Sequence, residues 1–121
     1  MPMNVRLDGD LAILSNFARL MNDPRHFDAS REVDAMLDQG RRAFVIELSG
    51  VGAIGPAGLG LLTTLTRQIR QDGGEAVLAG VRRELERHLE DMRMDAYWDV
   101  FRTVDDAKDH LLRHTAPRRD G

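Results

Sequence analysis

The 121-residue sequence contains no cysteine, which removes disulfides, thiolate metal centres and cysteine nucleophiles together. Zinc or redox chemistry would be left to histidines and carboxylates. No apolar run approaches the ~20 residues needed to span a bilayer. The opening MPMNVRLDGD lacks the basic start and apolar stretch of a secretory signal. A soluble, cytoplasmic chain without membrane insertion is the expectation. Basic residues never form a block: they gather only in pairs such as Arg41-Arg42, Arg82-Arg83 and Arg118-Arg119. With a formal net charge of -3, nucleic-acid binding has no electrostatic footprint. Lysine is nearly missing as well, Lys108 being the one lysine among 17 basic residues, a bias that carries no functional reading.

What is present is enough for one core. We read a single domain over residues 1–115 and a mobile tail over 116–121, where APRRDG offers no core residue. Asn4–Leu7 and Leu11–Ser15 alternate around Asp8-Gly9-Asp10, which predicts a hairpin. Phe17–Leu20 extends or follows it. Asn22–Arg25 is a break, after which Asp28 is the predicted cap of a helix bearing Ala29, Val33, Met36 and Leu37 on one face, ended by Gly40. Ala43–Leu48 is nearly continuous in apolar residues and predicts a central strand covered on both sides.

From Leu59 the spacing Leu62, Leu65, Ile69 predicts a helix buried on one side, with Gly60, Thr63, Thr64, Arg67 and Gln71 opposite and Gly73-Gly74 as its stop. Ala76–Gly80 predicts another strand, and Leu85, Leu89 and Met92 the next helical stripe. Asp95–Phe101 is expected to hold a brief edge strand. Thr103 with Asp106 resembles a capping box, ahead of a last helix marked by Val104, Ala107 and Leu111. Alternation of this kind predicts an α/β domain: a central mixed, mostly parallel sheet, an N-terminal hairpin and about four helices. Function is then expected at loops beyond the strand ends.

One such loop is GAIGPAGLG, Gly52–Gly60. A glycine-bearing turn into a helix invites an anion-binding reading, because free N–H groups there attract negative charge. The stretch lacks the lysine and Ser/Thr of a P-loop, its glycines miss the dinucleotide spacing, and Pro56 removes a donor. On local physics, Pro56 fits the first helical turn and the glycines allow close approach to the sheet.

The longer stretch FVIELSGVGAIGPAGLGLLTTLTRQIRQDGGEAVLAGV resembles the core of the STAS domain family, the anti-sigma factor antagonists and the related cytoplasmic domains of sulfate transporters. Glu47-Leu48-Ser49-Gly50-Val51 and Gly58-Leu59-Gly60 fit the family's strand end and helix opening. The later segment from Gly80 to Ala107 also resembles its third helix and final helix, so the resemblance runs from Arg41 to Leu112. In that family a hydroxyl in the turn is phosphorylated by a kinase that is itself the anti-sigma factor. The resemblance places the family's acidic residue at Gly55, its first serine at Pro56 and its phosphoacceptor at Ala57, and all three have lost the relevant side chain. A methyl group cannot take phosphate. The chain would then stay binding-competent, or the turn has changed partner; Thr63 or Thr64 is the substitute acceptor to consider.

Other candidates carry less. Asp106, His110 and His114 recur every four residues, a spacing that can ligate a divalent ion, although histidine near a helix end also suits the dipole. His88 is read as a boundary residue. Glu47 ends an apolar strand with no second carboxylate to make an acid–base pair. Tyr97-Trp98 is expected to close the core under the last helix, whereas an exposed Trp98 would mark an interface anchor. No active site assembles, so neither enzyme activity, cofactor nor metal is expected.

The resemblance implies function by binding. The expected docking surface is Gly52, Ala53, Ile54, Gly55, Pro56, Ala57 and Gly58, continued by Gly60, Thr63, Thr64 and Arg67 on the helix. Its implied partner is an anti-sigma factor or similar histidine-kinase-like ATPase, which docking would sequester so that a sigma factor is released. Three other readings stay open: a scaffold that self-associates within a stress-sensing assembly, an accessory subunit on an ABC-type lipid transporter ATPase, and small-ligand or nucleotide binding at the same helix start.

Overall fold

The computed structural model describes residues 3–114, with the backbone alone for His114; the expected tail 116–121 lies outside them. β1 (Asn4–Asp8) and β2 (Leu11–Ser15) form the N-terminal hairpin, followed by α1 (Phe17–Leu20), α2 (Asp28–Asp38), β3 (Ala43–Glu47), α3 (Pro56–Gln71), β4 (Glu75–Ala79), α4 (Arg83–Asp91) and α5 (Val104–His114). Sheet order is β1-β2-β3-β4, antiparallel between β1 and β2 and parallel thereafter. The α/β class, hairpin and mostly parallel sheet are therefore as the pattern predicts. A two-residue loop closes the hairpin, with Gly9 at φ 62 between the paired Asp8 and Leu11; glycine enters that region without steric cost.

Strand alternation sends the two faces of the sheet to two cores. Ala12, Leu14, Phe44, Ile46, Ala76 and Leu78 face α1 to α4. Leu11, Ile13, Ala43, Val45, Val77 and Ala79 pack with Ala107 and Leu111 of α5. β3 is buried from Ala43 to Ile46, as a strand covered on both sides requires. On α3, Leu62, Leu65 and Ile69 are fully buried, each contributing about 1.5–3 kcal/mol. Three hydrogen bonds clamp α3 to α2: Ser30 Oγ donates to Gln68 Oε1 at 2.9 Å, and Gln68 Nε2 donates to Ser30 O at 2.9 Å and Asp34 Oδ1 at 2.8 Å.

Of the two options for Phe17–Leu20, it follows the hairpin, as the short helix α1 with Phe17 and Leu20 buried, which makes five helices among the described residues. Three expectations are corrected. Asp28 is not the cap of α2; Phe27 holds that position without a side-chain hydrogen bond, and Asp28 lies in the first turn, where its charge suits the helix dipole. The expected edge strand in Asp95–Phe101 reduces to one parallel bridge, Leu78 with Val100. It still satisfies the outer edge of β4: Leu78 N–H donates to Asp99 O at 3.0 Å and Phe101 N–H to Leu78 O at 2.8 Å.

The third concerns Trp98. It is 3% exposed and belongs to the core under α3 and α4, across the sheet from α5. Its indole Nε1–H donates to Thr66 Oγ1 at 2.8 Å, and Tyr97 meets it edge-on at 4.7 Å. Thr103 does cap α5, its Oγ1 accepting from Asp106 N–H at 3.0 Å.

Candidate functional site

The β3–α3 loop leaves the sheet at its carboxyl end. Leu48 N–H donates to Ala79 O at 2.9 Å and Val51 N–H to Leu48 O at 3.0 Å, while Val51 and Ile54 turn their side chains into the core. Helix α4 ties the loop from the other side. His88 Nε2–H donates to Ile54 O at 3.0 Å, and the Glu84 carboxylate lies 3.4 Å from where a β-carbon on Gly52 would stand. His88 is thus a half-buried boundary residue that holds the loop. Glu47 accepts from both the hydroxyl and the N–H of Ser49, which closes the strand end on itself.

Gly55 is extended at φ -80 and ψ 177 and begins α3, and Pro56 is the first helical residue, where its missing N–H costs little. Ala53, Gly55, Pro56, Ala57, Gly60, Thr64 and Arg67 are exposed, and Gly52 and Thr63 are half-buried. Ile54 and Gly58 are turned inward and shape the site from beneath. A β-carbon on Gly58 would meet Met21 Sδ at 3.1 Å and Ile54 Cγ2 at 3.2 Å, so glycine lets α3 approach the residue after α1. The Thr63 hydroxyl donates to Leu59 O at 2.9 Å and Gly60 O at 3.1 Å, a local bond to its own helix.

Ala57 stands on a ridge between two clefts. One, of about 390 Å³, runs along Ala18, Met21 and Asn22 on one side and Gly50–Ala53 and Gly55–Gly58 on the other. The second, of about 330 Å³, is mainly apolar and is lined by His26, Phe27, Ser30, Ala57, Gly60, Leu61 and Thr64. Phe27 is 73% exposed, beside His26 with ring centroids 4.4 Å apart. The segment before α2 positions both rings: Arg25 N–H donates to Asp23 Oδ1 at 2.7 Å and His26 Nδ1–H to Asp23 O at 3.0 Å. The first of these bonds holds the Asp23 carboxyl below its ordinary value, against a smaller opposing effect of burial.

Sequence reasoning missed Phe27, although a signal was present. The residue lies out of phase with the Ala29, Val33, Met36, Leu37 stripe, so it cannot share the buried face of α2. The arrangement offers a surface of small backbone-exposing residues flanked by one large aromatic. Among the described residues, no three His, Asp or Glu side chains are placed to hold a metal. His110 instead approaches Asp99, Nε2 to Oδ2 at 3.2 Å, and packs tilted on Phe101 at 5.1 Å. The side chain of His114 lies outside the described residues. No described helix is long and apolar enough to cross a membrane.

Comparison with known proteins adds to this geometry. The family model described as the STAS domain matches residues 26–107, and no curated protein sequence matches the chain. The crystal structure of a candidate anti-sigma factor antagonist from Thermotoga maritima is 20% identical with a TM-score of 0.68, over 90% of this chain and 93% of that one. An NMR structure of that Thermotoga protein is 22% identical with a TM-score of 0.73, over 90% and 87%. An anti-sigma-factor antagonist (STAS) domain protein from Planctomyces limnophilus is 18% identical with a TM-score of 0.71, over 90% and 97%. At such identities the likeness is one of fold.

Proposed function

The chain belongs to the STAS domain family, and on that premise we propose that it is a non-catalytic regulator, an anti-sigma factor antagonist that works by partner switching. The observation that carries the reading is the continuity of Ala53, Gly55, Pro56, Ala57 and Gly60 with the Phe27 cleft. Small exposed residues admit a partner's backbone, and the exposed aromatic ring supplies the buried anchor that protein interfaces need. Arg67, exposed beyond Thr64, pairs with an acidic rim on the partner. That partner is an anti-sigma factor of the histidine-kinase-like ATPase type. Ala57 carries no hydroxyl, so the charge of roughly -1.5 to -2 that phosphorylation would add there never arises, and the antagonist stays competent to bind.

The test is affinity capture from lysate of the native host, comparing the wild-type chain with Gly60→Arg and Phe27→Ala. Recovery of a histidine-kinase-like ATPase by wild type, lost with Gly60→Arg and weakened about tenfold or more with Phe27→Ala, supports the reading. Recovery only of a transporter ATPase, or of no ATPase at all, overturns it. Self-association has one observation in its favour: β1 is an outer strand with all five residues exposed, Val5 and Leu7 among them, and an unpaired strand edge is a template for a second chain. Sedimentation that rises in mass with concentration would assign that role.

A further inference from the structure

A third cavity, of about 440 Å³, opens at the carboxyl ends of β3 and β4 and is lined by Ser49, Gly80, Val81, Arg82, Arg83 and Arg102. Three of its six lining residues are arginines, and no carboxylate lines it. They come from two separate stretches. Arg82 and Arg83 open α4, while Arg102 follows Phe101, whose N–H is fixed to Leu78 O and whose carbonyl accepts Val81 N–H at 3.3 Å. The same backbone bonds that seal the edge of β4 therefore bring Arg102 beside Arg82 and Arg83.

Three arginines on other parts of the fold are engaged within it. Arg42 pairs with Asp72, Arg70 with Glu75, and Arg41 donates to Gly9 O. Among the described residues, the guanidinium groups of Arg82, Arg83 and Arg102 make no ion pair or hydrogen bond, although the chain as a whole carries a net charge of -3. Of the nearby carboxylates, two are turned away and the third, at the floor, is engaged within its own strand end. Glu84 lies over Gly52, Glu86 lines a separate cleft with Glu90 and Asp95, and Glu47 is occupied by the hydroxyl and N–H of Ser49. Helix α4 adds its positive end, its cap residue Arg82 making no side-chain cap bond.

We propose that this cavity binds a small, multiply charged anion of the phosphate type, gripped by Arg82, Arg83 and Arg102. Planar guanidinium groups match phosphate oxygens two at a time, and three positive charges around one opening focus field on an anion. Its volume falls at the small end of the roughly 300–1,000 Å³ usual for ligand sites. Glu47 sets the depth of entry: its carboxylate lies beside Gly80, where a β-carbon would come within 2.6 Å of Oε2. An anion bound here stays at the arginine rim.

Inorganic pyrophosphate, titrated into the full isotope-labelled chain at constant ionic strength and followed by NMR, tests the proposal. The expected result is saturable binding below about 1 mM, with amide shifts at Ser49, Gly80–Arg83 and Arg102. Arg82→Ala, Arg83→Ala and Arg102→Ala each weaken it about 5–10-fold, Arg82→Lys also weakens it because the fork is lost, and Glu47→Gln tightens it. Arg113→Ala, at another exposed position, leaves it unchanged. Because the three arginines are exposed and unpaired, unchanged circular dichroism accompanies each variant. Shifts that fail to saturate, or an Arg113→Ala variant as weak as Arg82→Ala, overturn the proposal.

Discussion

His88 and Ile54, thirty-four residues apart, meet through a 3.0 Å hydrogen bond from the imidazole Nε2–H to the loop carbonyl. This is a direct polar link from α4 to the loop that introduces the docking surface. A carbonyl can only accept, so the geometry also assigns the Nε2 proton. Replacing His88 with alanine is expected to lower stability by about 1 kcal/mol and to speed amide exchange in residues 51–55 more than in β3. Equal exchange in the two segments would show that the bond does not hold the loop.

Thr66 gives a second expectation. Its hydroxyl donates to Leu62 O at 2.7 Å and accepts from the Trp98 indole. Thr66→Val keeps the volume and strands the indole N–H, at a cost of about 1–3 kcal/mol; Thr66→Ser, which keeps the oxygen, costs less. Urea unfolding followed by Trp98 fluorescence measures both, and a valine variant as stable as wild type would refute the role.

Two glycines should respond to alanine in opposite directions. Gly80 has φ +69, and an added β-carbon would fall 2.6 Å from Glu47 Oε2 and 2.7 Å from Ser49 Oγ. Gly80→Ala is expected to cost about 2–4 kcal/mol. Gly60 lies within α3 with nothing inside 4 Å of the corresponding position, so Gly60→Ala gains about 0.5–1 kcal/mol of helix stability. Thermal melts of the two variants decide the matter. The Gly60 result also bears on function, since a residue that destabilises its helix without any packing need is one that a partner's close approach can explain.

The link between β1 and α5 should depend on pH at both extremes. Lys108 Nζ donates to Asp8 Oδ2 at 2.6 Å; this hydrogen bond, with the attached charge, lowers the Asp8 carboxyl from its ordinary 3.8 and raises the Lys108 ammonium from 10.5. A lowered acid contributes stability above its unfolded value and loses it as pH falls through the folded one. A raised base contributes below its unfolded value and loses it as pH rises through the folded one. The tie is accordingly complete between those limits. Carboxyl NMR titration should find Asp8 below the ordinary range in wild type and back within it in Lys108→Met; an unshifted Asp8 in wild type would remove the link.

Elements whose signals are local are legible without any knowledge of the fold. Periodic apolar residues at Leu62, Leu65 and Ile69 can be buried only on one side of a helix, the run Ala43–Leu48 suits a strand covered twice, and Pro56 after Gly55 marks a helix start because its fixed backbone angle and missing donor cost little there. The turn beside Ala57 was equally legible. Tertiary structure alone decided what depends on distant segments meeting. Trp98 follows the bridge at Val100 onto the α3 face, whereas its sequence neighbourhood suggested α5. Phe27 becomes a cleft wall where α2 packs and hydrogen-bonds against α3. Arg102 reaches Arg82 and Arg83 because backbone bonds along β4 join residues some twenty positions apart. Periodicity reports which side of an element is apolar, and it carries no information about which other element that side will meet.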